Sequence, residues 1–505
     1  MLLSSGDFYR AHRPSACDLR LYLHYRDTPG AEPSEFEEVI RRLGERHEKA
    51  HLATFDNVTD LSEGSFEERR QRTIDAIENR APVIYQGVFS EPLRIGARDC
   101  QITGIPDFLI LDGDSYVIRD VKMARRLTEK EHAEIFWQLR LYGYLFTRVT
   151  GKVPLRLEVF GGASEVVQID AGDNGAVENT LSHYADVVLG AQPPFEPVGW
   201  TKCGGCSYHE TCWKEAESRR DVALVPKVDQ GLARALHDID VGSYDDLLKD
   251  FDEKRLSDIQ KPWGTKTQKV GKAASDILRS ALALQSGKSI YIAAPQIPSA
   301  ENFVMFDLEG LPPHLDELEK VYLWGIQVYG EKPGPFMAAT SGFGADGDRE
   351  GWMQFLDNAA AIMKEHSNIP FVHWHHYERT KVKQYIDRYG DPDGTAAAVL
   401  NNLFDLLPAT QKAVALPLPS YSLKVVEKFV GFKRTQTEYG GDWAMARYIE
   451  ATETEDEGLR ASVMADILQY NEEDLAATWA VLDWLRDYGR NNEAAAAGVH
   501  QTRCD

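Results

Sequence analysis

A stretch of nineteen residues, GIPDFLILDGDSYVIRDVK at 104–122, constrains this chain most, because it has the pattern of a β-hairpin. Apolar residues lead into the turn sequence DGDS and a second apolar run leads out of it, as in two paired antiparallel strands. Asp107 stands near the start of the first strand. Because side chains alternate along a strand, Asp120 and Lys122 point to the same face of the second strand.

Two carboxylates and one ammonium on one face of a hairpin are suited to bind a divalent cation and a phosphate. Carboxylate oxygens bind Mg²⁺ or Mn²⁺, and the lysine can orient a water molecule or stabilise a developing oxyanion. Considered alone, a solvated hairpin with a surface ion pair explains these residues about as well. The other motifs of the chain therefore decide between the two interpretations.

The chain is too long for a single hydrophobic core. Its 505 residues, of which 43% are hydrophobic and 10% aromatic, predict about two to four packed domains. No apolar run approaches the length of about eighteen residues that a transmembrane helix needs, so no contact with a membrane is expected. The N-terminal sequence lacks the basic and then apolar layout of a signal peptide, and a cytoplasmic location is predicted.

The net charge of −23 counts against extensive non-specific binding to phosphates, because proteins that coat nucleic acids are usually basic. It does not exclude a nuclease, since metal-binding carboxylates add negative charge and a narrow basic groove can lie on an acidic body. Local basic clusters occur at 122–126, 261–272 and 433–434. Such clusters are more often solvated faces than grooves.

Four of the six cysteines form a pattern. Cys203, Cys206 and Cys212 have the spacing C-x2-C-x5-C, and Cys17 stands alone near the start of the chain. In a cytoplasmic protein such a set indicates a metal site rather than disulfides. Four thiolates hold either a tetrahedral zinc ion or an iron–sulfur cluster, and His209 could replace one ligand of zinc.

Two predicted helices carry further candidate residues. A strongly amphipathic helix over 34–55 carries His47, for which a metal role is plausible because the carboxylate–lysine hairpin follows it. A long helix over 128–149 carries Gln138 and Tyr142. These two residues are four apart and therefore lie on one face of the helix, which could be turned towards the hairpin.

Taken in order, these motifs resemble the RecB-like branch of the PD-(D/E)xK nucleases over residues 1–220. The cysteines resemble the iron–sulfur subgroup of that branch, which includes the AddB-type and CRISPR-associated RecB-like exonucleases. In that subgroup one cysteine precedes the nuclease motifs and three follow them, so that a cluster joins the two ends of the domain. The resemblance therefore implies a 4Fe–4S cluster on Cys17, Cys203, Cys206 and Cys212, with zinc as the alternative.

The same resemblance assigns roles to the hairpin and its neighbours. It implies that His47, Asp107 and Asp120 bind the catalytic metal and that Lys122 is the catalytic lysine. Gln138 and Tyr142 would act on DNA or on the geometry of the site. Asp120 stands where glutamate is commoner in the family, but aspartate binds metal as well.

The middle of the chain, 221–290, is predicted to be a helical linker. Short helices broken by VPKVDQG and DIDVGS resemble a helix-hairpin-helix module over 222–248, and such a module binds the DNA backbone through loop amides. Asp229 occupies a loop position where glycine is more usual. A purely structural helical linker is the alternative interpretation.

A second set of acids lies in the last part of the chain. The apolar strand predicted over 302–311 ends in Asp307 and Glu309, which the two-residue period places on one face. The strand over 322–330 is predicted to pair with it as a hairpin. Far downstream, Tyr470 and Asp474 are four apart at the predicted start of a helix and therefore share a face.

These elements resemble the DnaQ-like, tyrosine-type DEDD 3′–5′ exonucleases of the ribonuclease H-like fold. The resemblance implies that Asp307, Glu309 and Asp474 bind metal and that Tyr470 orients the attacking water. Glu378, which follows a tyrosine near the start of a predicted helix, would be the third acid, with Asp405 as the alternative. A degenerate scaffold that only binds nucleic acid or a partner protein is the competing interpretation.

The predicted fold is thus a multidomain α/β chain with a restriction-endonuclease-type RecB-like core, a helical linker and a ribonuclease H-like domain. The predicted boundaries are 1–220, 221–290 and 298–490, followed by a disordered tail at 491–505. This order also resembles a bacterial family of RecB-like nucleases, in some of which the pair precedes a superfamily 1 helicase. No phosphate-binding sequence G-x-x-x-x-G-K-[ST] occurs, so this chain has no motor of its own.

The predicted function is that of a Mg²⁺- or Mn²⁺-dependent DNA nuclease, most simply an exonuclease. It would act on single-stranded DNA or duplex ends in DNA repair, recombination or defence against foreign DNA, with a separate helicase as a candidate partner. Two alternatives stay open at this point. One is a DNA-clamping partner of a helicase with one degenerate site, and the other is an RNA-processing 3′–5′ exonuclease.

Overall fold

The computed structural model describes residues 2–95, 98–264, 266–313, 315, 318–437 and 439–501, with the side chains of 95, 98 and 493–501 excepted. The chain divides into two compact units, Met1–Trp213 and Lys214–Asp505. Each unit has its own sheets and its own hydrophobic core. Within the described residues, no helix combines the length and the apolar character that crossing a bilayer requires.

Among the residues that the structure describes, the first unit contains nine strands in two sheets. The strands are β1 (Leu2–Ser4), β2 (Val58–Asp60), β3 (Val83–Tyr85), β4 (Phe89–Ile95), β5 (Arg98–Gly104), β6 (Phe108–Asp112), β7 (Ser115–Val121), β8 (Arg156–Phe160) and β9 (Val166–Ile169). Six of them form a sheet in the order β2-β3-β6-β7-β8-β9, and the other three form a sheet in the order β1-β5-β4. The larger sheet is the one that carries the hairpin.

Eight helices of the described part of the chain belong to this unit or begin in it. They are α1 (Ser5–His12), α2 (Asp18–His24), α3 (Glu35–Leu52), α4 (Phe66–Glu78), α5 (Ala133–Thr150), α6 (Asn174–Leu189), α7 (Trp200–Cys203) and α8 (His209–Arg219). Helix α3 begins where the sequence provides a capping box. Ser34 Oγ accepts a hydrogen bond from the Glu37 amide, and Glu37 Oε2 accepts one from the Ser34 amide.

The predicted hairpin at 104–122 is present as β6 and β7. The two strands are antiparallel, with Ile110 opposite Val117, and Gly113 in the turn has a φ of +61°. Such a left-handed conformation favours glycine because it has no Cβ. Helix α5 contributes Leu139 and Phe146 to the buried core beside the sheet. The hairpin is therefore an interior element of the sheet rather than a solvated loop.

In its described residues, the second unit contains nine strands. They are β10 (Gln260–Trp263), β11 (Lys266–Lys269), β12 (Ile290–Tyr291), β13 (Asn302–Leu311), β14 (Lys320–Gly330), β15 (Met337–Thr340), β16 (Phe371–His373), β17 (Leu403–Asp405) and β18 (Val414–Ala415). Five form the main sheet in the order β15-β14-β13-β16-β17. The central strand β13 is antiparallel to β14 and parallel to β16. The predicted pairing of the strands at 302–311 and 322–330 is thus confirmed.

The helices of this unit follow a short 3₁₀ turn at Val222–Leu224. They are α9 (Gln230–His237), α10 (Tyr244–Asp250), α11 (Glu253–Ser257), α12 (Ala273–Ser286), α13 (Gly344–His366), α14 (Tyr377–Tyr389), α15 (Thr395–Asn402), α16 (Leu406–Ala413), α17 (Leu423–Phe429), α18 (Gly441–Glu453) and α19 (Glu457–Gln501). The main sheet packs against an aromatic core that includes Phe306, Trp324, Trp352 and Phe355. This core fixes the position of β13.

Three details differ from the sequence-based expectations. Residues 221–290 are mostly helical, but β10 and β11 form a hairpin there, with Gly264 at a φ of +59° between them. Tyr470 lies inside α19 rather than at the start of a helix, because helix-forming residues lead into it from Glu457. The tail expected to be disordered from 491 continues α19 to Gln501, since its alanine run has a high helix propensity; residues 502–505 lie outside the described residues.

Candidate active sites and a cysteine-lined cavity

The hairpin brings Asp107, Asp120 and Lys122 together in the first unit. Asp120 is 1% exposed, and its Oδ2 lies 2.5 Å from Lys122 Nζ. Asp107 is also buried, and its Oδ2 accepts a hydrogen bond of 2.8 Å from the Val121 amide. The two-residue spacing on β7 and the position just before β6 therefore place three functional groups at one spot, as the sequence predicts.

The charges of this group depend on one another. Burial and the neighbouring Asp120 carboxylate raise the pKa of Asp107 well above its ordinary value. Burial alone lowers the pKa of Lys122, but the carboxylates of Asp120 and Asp107 outweigh burial and raise it. Two acids in a desolvated site repel each other, and a cation beside them favours their ionised forms. Lys122 provides one positive charge, and a divalent cation would provide two more.

A third acid, Glu48 on α3, belongs to the same group and was missed by the sequence analysis. Gln86 Nε2 donates hydrogen bonds to Asp107 Oδ1 at 3.1 Å and to Glu48 Oε1 at 2.7 Å. Tyr85 OH donates a second hydrogen bond of 2.8 Å to Glu48 Oε1. The charge of Glu48 contributes to the raised pKa of Asp107. Its one sequence signal is its position directly after His47.

The imidazole of His47 contacts Gly161 and Phe160. Its Nε2 lies 3.2 Å from the Gly161 carbonyl oxygen, and its ring stacks on Phe160 with centroids 5.2 Å apart. Burial lowers the pKa of His47, which favours the neutral imidazole. In the part of the chain that the structure describes, the ligand atoms of His47, Asp107 and Asp120 do not form a group within 4.8 Å. A metal role for His47 stays a prediction.

Gln138 and Tyr142 form the predicted pair on α5. Gln138 Nε2 donates a hydrogen bond of 2.9 Å to Tyr142 OH, which in turn donates to Ser5 Oγ at 3.3 Å. Burial and the charge of Asp120 raise the pKa of Tyr142. A Cβ at Gly104 would lie 2.8 Å from the Tyr142 ring, so the glycine at that position leaves room for the tyrosine. The pair is thus held beside the carboxylates.

The four patterned cysteines line one cavity in the first unit, although the first is far from the others in sequence. They are Cys17, Cys203, Cys206 and Cys212. Burial raises the pKa of the Cys17 and Cys203 thiols. His209 also lines the cavity, beside the buried ion pair of Lys202 and Glu196 at 2.5 Å. The residues present therefore fit a site with four sulfur ligands.

In the second unit, the central strand β13 and the long helix α19 bring three carboxylates together. One ligand atom each of Asp307, Glu309 and Asp474 lies within 4.8 Å of the other two, and we refer to these residues as the carboxylate triad. It is the single group of this kind among the described residues. Asp307 and Glu309 are neighbours on one face of β13, and Asp474 lies more than 160 positions downstream in the sequence.

Two of the three carboxyl groups in the triad have raised pKa values. Burial and the charge of Asp474 raise the pKa of Glu309 to about 8. The same two causes raise the pKa of Asp307 well above its ordinary value. Oxygen ligands this close together are the donors that hard divalent cations prefer. The triad therefore fits a Mg²⁺ or Mn²⁺ ion.

Two cations approach the triad from the side of Asp474. Lys424 Nζ and Arg434 Nη2 both contact Asp474 Oδ1. Arg434 also forms two hydrogen bonds with Glu427, at 2.8 and 2.7 Å, and is almost completely buried. The sequence analysis noted Arg434 only as part of a basic cluster, and Lys424 carries no motif that could have revealed its role.

The other predicted residues of this domain lie around the triad. Tyr470 is buried beneath Lys424, whose Nζ lies 4.4 Å from the ring centroid, and burial and the charge of Glu309 raise its pKa. Glu378 Oε2 lies 3.1 Å from His373 Nδ1, and its charge contributes to the raised pKa of Glu309. Tyr470 and Glu378 thus both face the triad.

Asp405, the alternative third acid, is engaged elsewhere. Its Oδ1 accepts hydrogen bonds from the amides of His375 and Leu407, at 3.0 and 3.1 Å, and it is the N-cap of α16. Capping of a helix by aspartate satisfies an otherwise free amide group. Of the two candidates, Glu378 is the one whose negative charge raises the pKa of Asp307 and Glu309.

Each unit places two acids at a pair of antiparallel strands. Residues 15–213 match the family model of the PD-(D/E)XK nuclease superfamily, and residues 304–486 match RNase_H_2, a model of the RNase_H superfamily. The chain therefore carries a PD-(D/E)XK nuclease domain and an RNase H-like domain. The finer assignment to the AddB-type or CRISPR-associated subgroup stays a prediction.

No curated protein matches this chain. Among solved structures, one described as "Crystal structure of SSO0001" matches 35% of this chain and 96% of that chain, at 16% sequence identity and a TM-score of 0.21. A superposition this loose adds nothing to the assignment of the two domains.

Proposed function

We propose that this chain is a metal-dependent DNA nuclease, most simply an exonuclease, that acts in DNA repair, recombination or defence against foreign DNA. The observation that carries the proposal is the carboxylate triad, in which one oxygen of each acid lies within 4.8 Å of the other two, in a domain that matches the RNase_H superfamily. Burial and mutual repulsion raise the pKa of Asp307 and Glu309, and a bound divalent cation would favour their ionised forms. A PD-(D/E)XK nuclease domain in the same chain supports the same class of substrate.

Mg²⁺ or Mn²⁺ at the triad would polarise the scissile phosphate and lower the pKa of a bound water. Asp307, Glu309 and Asp474 would hold the ion. Since its pKa is about 8, the Glu309 carboxyl carries a proton near neutral pH in the metal-free protein and releases it on metal binding. Tyr470, buried beside Glu309 and un-ionised because its pKa is raised, keeps an O–H with which to orient a water molecule.

In the first domain, Asp107 and Asp120 would hold a metal ion, with Glu48 and His47 as further candidate ligands. Lys122, which stays protonated because its pKa is raised, would assist the attacking water and stabilise the negative charge that develops on the phosphate. Gln138 and Tyr142 would fix the geometry around Asp120.

A 4Fe–4S cluster at the cysteine-lined cavity is part of the proposal. Four cysteines line that cavity, and four thiolates are the usual ligands of such a cluster. A single tetrahedral zinc ion, which four thiolates also hold, is the alternative.

The test is digestion of end-labelled single- and double-stranded DNA and RNA with Mn²⁺, comparing the unaltered chain with Asp120→Ala and Asp307→Ala. We expect DNA to be cleaved and each substitution to remove the products of its own domain. The proposal is overturned if neither substitution changes the cleavage. Degradation of RNA but not of single-stranded DNA would instead support the RNA-processing exonuclease.

One observation favours a second candidate function for the RNase H-like domain. Asp474 is already bound by Lys424 and Arg434, as in a scaffold that binds DNA without cutting it. The chain would then clamp DNA for its first domain or for a separate helicase. Full cleavage by the Asp307→Ala variant together with weaker binding of DNA would support the clamp, whereas loss of a distinct cleavage product would exclude it.

A further inference from the structure

The hairpin of β10 and β11 in the second unit has one face that combines an aromatic side chain with lysines. In the pairing of β10 with β11, Trp263 lies opposite Lys266, and Lys261 lies opposite Gln268. Residues directly opposite each other in an antiparallel pair project to the same side. One face of this hairpin therefore carries an indole, two ammonium groups and an amide.

Most of this face is exposed, although Lys261 is half-buried. Trp263 is 63% exposed, more than any other aromatic residue that the structure describes, and β11 is exposed along its whole length. A single exposed aromatic side chain needs no explanation. An indole paired across the strands with an ammonium group, with a second lysine on the same face, is a more specific arrangement.

The surroundings of the hairpin are basic in an acidic protein. Residues 260–272 contain four lysines and no acid, in a chain with a net charge of −23. Lys261 contacts Asp229, and Lys269 lies 2.7 Å from Asp258. Within the described residues, Lys266 has no ion-pair partner. The hairpin thus presents an uncompensated positive charge beside the exposed indole.

The base of the hairpin is fixed to the rest of the unit. The contact of Lys261 with Asp229, the N-cap of α9, ties β10 to that helix. A Cβ at Gly231 would lie 3.0 Å from the Pro262 carbonyl oxygen, so the backbones of β10 and α9 approach closely. Trp263 is therefore presented on a supported strand rather than on a loose loop.

We propose that this face binds a single-stranded segment of nucleic acid, with Trp263 stacked on a base and Lys266 against a phosphate. Stacking on an aromatic ring is tolerant of sequence, and lysines beside the ring follow the backbone. The bases of an intact duplex are already stacked on one another and are not available to the indole. The inference rests on the proposed nuclease function, for which the hairpin would be a substrate contact away from the carboxylates.

The test measures binding of a labelled oligothymidylate to the full chain by fluorescence anisotropy, in an Asp120→Asn, Asp307→Asn background in which the probe stays intact. We expect Trp263→Ala to weaken binding by about tenfold and Trp263→Phe to restore most of it, since phenylalanine still stacks. Lys266→Gln should weaken binding and lower the slope of log affinity against log salt by about 0.7.

Two matched controls come from the same unit. Phe343 is 55% exposed and Lys288 is exposed, and neither belongs to the hairpin, so Phe343→Ala and Lys288→Gln should bind the probe like the parent. The proposal is overturned if Trp263→Ala and Lys266→Gln behave like these controls. It is also overturned if a blunt duplex binds as tightly as the single strand with the same dependence on Trp263, or if binding of the probe does not weaken with salt.

Failure of the nuclease proposal gives a different result. In that case the unaltered chain cleaves no substrate with Mn²⁺, while the probe still binds and the Trp263→Ala variant still loses affinity. Conversely, if cleavage depends on Asp120 or Asp307 but the Trp263→Ala variant binds the probe as the parent does, only the hairpin proposal is overturned.

Discussion

Asn471 Nδ2 donates a hydrogen bond of 2.7 Å to Asp307 Oδ2 and thereby links the long helix α19 to the central strand β13. The link depends on the strand next to β13. Gly325 lies opposite Asp307 in β14, and a Cβ there would lie only 1.7 Å from Asn471 Oδ1. The glycine therefore leaves the space in which Asn471 holds one member of the carboxylate triad.

Substitution of this glycine should disturb both stability and activity. Gly325→Ala forces Asn471 away from Asp307, and we expect the free energy of unfolding to fall by about 1 to 3 kcal/mol. Cleavage products of the second domain should fall by roughly tenfold, because Asp307 loses the group that orients it. Urea denaturation and the end-labelled digestion assay measure the two effects.

Gly441→Ala is the matched control, since a Cβ at Gly441 meets no atom within 4 Å. It should unfold within about 0.5 kcal/mol of the parent, as surface substitutions usually do. Equal stability of the two variants would mean that the Asn471 side chain moves at no cost, and the proposed role of Gly325 would be wrong.

The protonation of Glu309 gives the metal-free protein a characteristic pH dependence. Burial and the charge of Asp474 raise its pKa to about 8, from an ordinary value of 4.5. The folded protein therefore binds more protons than the unfolded chain between these values, and its stability falls as the pH rises through that window. Above about pH 8 the stability that protonated Glu309 contributes is fully lost.

Divalent metal should reverse this trend. Because the ion binds the ionised carboxylates, the rise in melting temperature that Mn²⁺ produces should be larger at pH 8 than at pH 6. Melting curves in EDTA and in Mn²⁺ across this range measure both effects. In Glu309→Gln the decline of stability in EDTA should be smaller, and an unchanged decline would show that another group is responsible.

The parts of the two sites that were predictable share a local origin. The side-chain period of two on a strand pairs Asp120 with Lys122 and Asp307 with Glu309, and this period is independent of the rest of the fold. Gln138 and Tyr142 likewise follow from the helical spacing of four. Such pairs can be read from the order of residues because the geometry within one element determines them.

The residues that were missed owe their position to packing between elements. Glu48 reaches Asp107 through Gln86, and Lys424 and Arg434 reach Asp474 from segments without any motif. Apart from the position of Glu48 next to His47 and of Arg434 in a two-residue basic cluster, the local sequence does not distinguish these residues from surface charges. The convergence of the cysteines was indicated by their number and pattern and implied by the family resemblance, since spacing alone does not say where a distant cysteine lies.

Lys122 should be needed both for activity and for the stability of the first domain. In an Asp307→Ala background, where the remaining cleavage comes from the first domain, we expect Lys122→Met to lower cleavage by about a hundredfold. The same change leaves the buried Asp120 without its cation and should cost on the order of 2 kcal/mol of unfolding free energy. Lys130 is exposed in the same unit, and Lys130→Met should change neither quantity. Parent-like cleavage by Lys122→Met would exclude a catalytic role.

The cysteine-lined cavity should hold iron that joins the two ends of the first domain. Cys203→Ser removes one of four sulfur ligands, and we expect the visible absorption and the bound iron to be lost. Because the cluster would close a loop from Cys17 to Cys203, its loss should cost on the order of 4 kcal/mol of stability, as for a long cross-link. Cys100 lies buried in the core away from the cavity, and Cys100→Ala should keep its iron. A colourless parent protein that contains zinc would contradict the iron–sulfur assignment.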